Sequence, residues 1–161
     1  MDLREFLRTI PDLQDLDEKE LTALERAMQV ERYADGHVFI REGHRPDAVY
    51  LIIEGEVRVT PEQHGEAGMK IDKKMGPGEV FGLIGLIDHK QRSATWTAAG
   101  PVVAASLPWT AFSMLFHISA PLAYHFQYLV ARQLTRDVRK LNEFIRNAIR
   151  NTLATQNEKS I

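Results

Sequence analysis

No cysteine occurs anywhere in the 161 residues. Disulfides and thiolate metal centres are therefore excluded, and the composition fits a reducing cytoplasm. No stretch long enough to cross a membrane is uninterruptedly apolar. The N-terminus, Met1-Asp2-Leu3-Arg4-Glu5, is charged and lacks the apolar run of a signal peptide. With no cysteine nucleophile and no Gly-x-Ser-x-Gly elbow, nucleophilic catalysis is not indicated. The six histidines (His37, His44, His64, His89, His117, His125) are scattered, and no His-x-His pair occurs. A metal-dependent barrel enzyme needs His and Glu converging from adjacent strands, so these histidines read as surface or capping residues. The expectation is a chain that is not an enzyme, holds no metal and spans no membrane. A large net charge is lacking too: the formal value is −2, and nothing global demands a nucleic acid partner.

What is present suffices for one domain with a proper core, since 44% of the residues are hydrophobic. Residues 1–33 read as an N-terminal helical segment. Leu3, Phe6, Leu7 and Ile10 have helical spacing, and Pro11 breaks it. Asp17 with Glu20 reads as a capping box for a helix over 18–30, with Leu21, Leu24, Ala27 and Met28 on one face. Ala34-Asp35-Gly36 is turn chemistry, and from residue 34 to 108 the period becomes strand-like. Ala48 to Ile53 is apolar enough for a strand buried on both sides. Glu54-Gly55 reads as a hairpin tip, and Gly100-Pro101 as the break between two further strands. Short strands with glycine turns point to a mainly β fold, a jelly-roll barrel (double-stranded β-helix) with an N-terminal helix and a long C-terminal one.

Residues 109–155 return to the helix period. Trp109 to Phe116 forms a short helix, and Ser119 with Pro121 starts the next. No further proline or glycine interrupts that helix, which should run about 30 residues, or roughly 45 Å. Leu134, Val138, Leu141, Ile145 and Ala148 follow a 4-3-4-3 spacing, a heptad seam suited to a parallel homodimer. Charge concentrates on the same helix. Residues 131–150 hold six basic side chains against two acidic ones, net +4, so the remainder carries −6. Residues 156–161 read as a frayed tail.

The most informative stretch runs from Gly76 to Ala98, with four glycines and one proline leading into Arg92-Ser93-Ala94. Glycines permit close approach, N–H groups at a short helix's start point at an anion, and an Arg forks onto two oxygens. On residue types alone this is equally an anion cradle or a glycine-rich crossover between strands.

The order of elements resembles the cyclic-nucleotide-binding domain family, in particular the sensor half of CRP/FNR-type regulators and the regulatory domains of cyclic-nucleotide-dependent kinases and channels. The residues that carry the resemblance are Ile10-Pro11-Asp12-Leu13, Tyr50 to Val57, Gly76-Pro77-Gly78-Glu79-Val80-Phe81-Gly82 and Arg92-Ser93-Ala94-Thr95. The resemblance implies a phosphate-binding cassette at about residues 81–94. In it Arg92 would hold the exocyclic oxygens of a cyclic phosphate. Ser93 would add a hydroxyl, and the backbone at Ile84 and Gly85 further N–H donors. Gly82, Leu83, Val59, Ile71 and Ala94 would line the pocket, with Asp137 and Val138 reaching it from the long helix. The implied effector is cAMP or cGMP. The implied output is a change in the long helix's pose through an apolar contact of Leu86, Ile87 and Phe116.

One departure bears directly on the ligand. Where the family has a Glu for the ribose 2′-OH, this chain has Leu83, and Asp137-Val138 stand where an adenine-contacting Thr or Ser often falls. Losing a charge-assisted bond costs about 1.5–3 kcal/mol, roughly 10- to 100-fold in affinity. Three readings follow: weak or altered cyclic-nucleotide binding, a different small effector, or an empty dimerising interaction module. The first is taken, with the third as the alternative. The chain also ends too soon after the long helix for a winged helix-turn-helix. It therefore reads as a stand-alone cytoplasmic sensor with an unknown protein effector, or as the truncated sensor half of a transcription regulator.

Overall fold

The computed structural model of the chain describes residues 2–44, 47–61, 73–83 and 94–158. Helix α1 spans Leu3–Thr9 and ends before a 3-10 turn at Pro11–Leu13. Helix α2 spans Glu18–Ala27, and its capping box is complete. Asp17 accepts from the N–H groups of Lys19 and Glu20 at 2.8 Å, and Glu20 accepts from the Asp17 N–H at 2.9 Å. Arg4 ties the two helices together by donating to Glu25 at 2.7 Å and Thr22 at 2.8 Å.

The helix expected over 18–30 stops at Ala27. Gln29–Tyr33 is instead a strand, β1, paired antiparallel with residues 102–106. It is an edge strand whose side chains are almost all exposed, so its sequence shows no apolar alternation.

Five more strands follow, three short and two long. They are β2 (Val38–Ile40), β3 (Ala48–Pro61), β4 (Lys73–Met75), β5 (Val80–Phe81) and β6 (Ala94–Pro108). Strands β3 and β6 pair antiparallel along almost their whole length, from Ala48↔Pro108 to Pro61↔Ala94. Strands β1 and β2 share the far edge of β6, and β4 and β5 the far edge of β3. The expected hairpin tip at Glu54-Gly55 and the expected break at Gly100-Pro101 are both corrected. Each glycine lies inside a continuous strand. Gly55 has φ +87°, and the β3/β6 register shifts around it. A bulge at this point bends the strand without ending it.

The bend curls the sheet. Phe39 on β2 and Phe81 on β5 have ring centroids 5.3 Å apart. Three strand spacings separate them along the sheet, about 14 Å if it were flat. Among the described residues the sheet is nevertheless not closed, so the barrel expectation narrows to a curled antiparallel jelly-roll sheet with flanking helices.

Two cores follow from strand alternation. Val49, Leu51 and Ile53 face the helices, together with Leu7, Leu13, Leu21 and Leu24. Ile52 faces the inside of the curl with Phe39, Val57, Phe81 and Val102, and Tyr50 packs there. The run Ala48 to Ile53 is thus buried on both sides, as its composition indicates.

Helix α3 spans Trp109–Ile118 and α4 spans Ala120–Glu158. The Ser119 hydroxyl accepts from the Leu122 N–H at 3.3 Å, the expected cap. Helix α4 has 39 residues, about 58 Å, and it continues into the segment expected to be frayed.

Candidate functional site

Three polar contacts dock α4 on the sheet and the N-terminal turn. Arg132 donates to Asp12 in the 3-10 turn at 2.5 Å. Gln133, 8% exposed, donates to the Val80 carbonyl at 2.6 Å and accepts from the Val80 N–H at 2.9 Å. Lys73 on β4 donates to Asp137 at 2.5 Å, with both side chains partly buried. The helix therefore reads the backbone of β5 directly and reaches the open end of the sheet through a charge pair.

Sequence reasoning missed Gln133 and Lys73. A signal for Gln133 exists, since it continues the buried stripe Leu122, Phe126, Leu129 as its one polar member. A buried amide facing both groups of one peptide unit satisfies donor and acceptor together. Gln133→Leu would leave the Val80 N–H and C=O without these partners. It is expected to cost about 2–4 kcal/mol, lowering the thermal midpoint followed by circular dichroism.

The predicted pocket residues separate into three groups. Val59 pairs with Lys73 and Trp96, and Ala94 sits two rungs further along the same end of the β3/β6 ladder. Val59, Ala94 and Asp137 therefore gather at that end, the last through its bond to Lys73. Val138, also expected to reach the ligand, points outward and is 55% exposed. The second group is at the other end of the ladder. Gly82 has φ +95°, and a Cβ there would lie 2.7 Å from the Ala48 carbonyl oxygen, so only glycine fits.

Leu83 is the correction with most consequence for the ligand. It belongs to the helix-facing core at 6% exposure, not to the inside of the curl. Val80 faces the helices and Phe81 the curl, so simple alternation would return residue 83 to the curl. The left-handed turn at Gly82 reverses the order. Leu83 instead lines an apolar hollow of about 360 Å³ with Phe112, Phe126, Val130, Ala131 and Leu134. Arg92, Ser93, Ile84, Gly85 and Ile71 lie outside the described residues, as do Leu86 and Ile87 and the side chain of Phe116.

Four of the five seam positions are exposed: Leu134 at 38%, Val138 at 55%, Leu141 at 44% and Ile145 at 42%. Phe144 and Ile149 widen the apolar face. Inside the curl, Phe81 stacks on Tyr50 with centroids 5.0 Å apart, and Phe39 meets both edge-on. Burial, with the Glu31 carboxylate beside it, holds the Tyr33 phenol above its ordinary range, and burial does the same for Tyr50. Both rings therefore act as neutral, largely apolar walls. No helix among the described residues is long and apolar enough to cross a membrane.

This architecture has known counterparts. The chain is 31% identical over 115 residues to a cAMP-dependent protein kinase regulatory subunit of Dictyostelium discoideum, covering 69% of this chain and 35% of that protein. It thus spans about a third of that relative's length. Among solved structures, a cyclic nucleotide-binding domain from Methylobacillus flagellatus superposes with a TM-score of 0.74 at 26% identity, covering 86% of this chain and 78% of the other. The Catabolite Activator Protein of Thermus thermophilus gives 0.67 at 27% identity, over 82% and 62%. The family model of the cyclic nucleotide-binding domain matches residues 30–119, from the first strand to the end of α3. With the curled sheet, the left-handed turn at Gly82 after β5 and the long docked helix in their expected order, the chain belongs to the cyclic nucleotide-binding domain family.

Proposed function

We propose that this chain is a non-catalytic, cytoplasmic regulatory module that binds a cAMP- or cGMP-like ligand and signals through α4. The observation that carries the reading is the pair of bonds from Gln133 to Val80. Val80 lies two residues before Gly82, where the cassette begins, so a ligand that shifts the cassette also shifts the peptide unit that α4 holds. Coupling then requires only that the ligand prefer one of two helix poses. The Lys73–Asp137 pair adds a second link, from the end of the sheet that holds Val59 and Ala94.

In this reading Arg92 forks onto the phosphate oxygens, and Ser93 with the N–H groups at Ile84 and Gly85 completes the anion site. Gly82, Val59, Ile71 and Ala94 supply close backbone approach and apolar wall. The Dictyostelium relative is a kinase regulatory subunit, so the output of α4 is read as acting on a protein effector. Calorimetric titration with cAMP and cGMP is the direct test. A dissociation constant at or below about ten micromolar, weakened about 100-fold or more in Arg92→Ala, supports the sensor reading. Absence of heat with both nucleotides overturns it.

A second reading rests on Leu83. The position of the ribose-binding carboxylate holds a leucine packed into the helix-facing core. That favours a module that takes no nucleotide and acts by dimerising. Both readings use the α4 seam, where a second copy would bury Leu134, Val138, Leu141, Ile145 and Ala148. Sedimentation of the wild type is expected to give a dimer, and Leu141→Lys a monomer with unchanged far-ultraviolet circular dichroism. A monomeric wild type means that the seam does not pair.

A further inference from the structure

Helix α4 has a second exposed face that neither reading uses. Arg136, Arg139, Lys140, Arg146 and Arg150 are all exposed, and among the described residues none is paired with an acid. At 100° per residue they fall within an arc of about 120°, which also holds Glu143 and Asn147. They extend about 21 Å along the axis. This arc lies roughly opposite the seam of Leu134, Val138, Leu141 and Ile145. The basic face therefore stays open whatever covers the apolar one.

One end of the basic face opens into a groove of about 460 Å³. Arg136 stands in its wall, and Phe6, Pro11, Pro77 and Leu129 give it apolar sides. Arg132 in the same groove is occupied by Asp12, which leaves Arg136 as its uncommitted cation.

We infer that this face and groove dock a short acidic protein segment, its carboxylates along Arg136, Arg139, Lys140, Arg146 and Arg150 and a terminal apolar side chain in the groove. Four of the five cations are arginines, whose planar forks match carboxylates in two-bond geometry. An acidic helix carries carboxylates at the same three- and four-residue spacing as the arginines that face it. A membrane surface fits less well. A helix lying on lipid buries its apolar face, and here that would turn the arginines away from the headgroups. An extended nucleic acid also fits less well, because residues outside 131–150 carry −6 and repel a polyanion longer than the helix.

The test uses the full chain and a fluorescein-labelled peptide of about 15 residues, with Glu at helical spacing and Leu at its end, read by fluorescence anisotropy. Binding is expected at about 50 mM salt and should weaken strongly by about 500 mM. The double reversal Arg139→Glu/Arg146→Glu should lower affinity at least about tenfold, and Arg136→Glu should abolish the preference for a terminal Leu over a terminal Ser. Arg32→Glu, which reverses an exposed cation on β1 instead, should leave binding unchanged. No peptide binding at low salt, or equal binding by the double reversal, overturns the proposal. Tighter, reversal-sensitive binding of duplex DNA or of phosphatidylserine vesicles overturns it too, by assigning the face to another partner. The outcome is independent of the nucleotide titration, because that reports on Arg92 and this on α4.

Discussion

Replacing Gly55 with alanine should lower stability by about 3–5 kcal/mol and the thermal midpoint by more than about 10 °C. Two causes add. Gly55 sits at φ +87°, where an L side chain is strained by about 1–2 kcal/mol. A Cβ there would also lie 2.3 Å from the Pro101 carbonyl oxygen and 3.1 Å from the Val102 Cα. Both are backbone atoms of β6, and Val102 is fully buried, so neither can step aside cheaply. Gly36 separates the causes. It has φ +77°, but nothing lies within 4 Å of its added Cβ, so Gly36→Ala should show the conformational cost alone, about 1–2 kcal/mol. Thermal melts of the two variants decide the matter. Equal losses would mean that β6 yields at Pro101 and that the contact does not fix the bend.

Leu83→Glu has the next largest expected effect, and its sign follows from the side of the sheet on which the residue lies. In a pocket open to a ribose, the carboxylate would add a bond and tighten nucleotide binding. Only 6% exposed among Phe112, Phe126 and Leu134, it would instead be desolvated, and stability should fall by about 3–5 kcal/mol at neutral pH. Desolvation raises the carboxyl pKa of the folded variant above its unfolded value of about 4.3. The neutral acid is tolerated better than the anion. The deficit against wild type should therefore be smallest below the unfolded pKa and grow as pH rises, until the folded pKa is passed. Melting at about pH 4 and pH 8 shows this directly, and Leu83→Met should cost less than about 1.5 kcal/mol. If Leu83→Glu were as stable as wild type and bound cAMP more tightly, the side chain would face the ligand and the nucleotide pose would be ordinary.

These two variants mark where sequence and tertiary structure divide. Local chemistry settled the ends of helices and the chain's broad order. Pro11 cannot continue α1, Asp17 and Glu20 complete each other's hydrogen bonds within one turn, and the apolar run from Ala48 to Ile53 requires a cover on each face. The family resemblance was legible for the same reason, because its motifs are short and contiguous. Strand β1 was not legible, since Gln29–Tyr33 owes its conformation to pairing with residues 102–106 and buries almost nothing of its own. Gln133 reads as a fault in an apolar stripe until β5 brings the Val80 peptide against it.

What the sequence by itself determined is the inventory: a glycine-rich stretch followed by Arg92 and Ser93, leucine at position 83, an uninterrupted long helix with an apolar seam, and no cysteine. Only the tertiary structure decided what those pieces face. Gly55 and Gly100 look alike as turn residues whether a strand ends or bends, and the carbonyl of Pro101 against Gly55 makes this one a bend. Leu83 has the same composition on either side of the sheet, and the left-handed turn at Gly82 sends it to the helices. The reason is common to both cases. Hydrogen bonds and van der Waals contacts act between atoms brought together by folding, and residues far apart in the chain supply half of each contact.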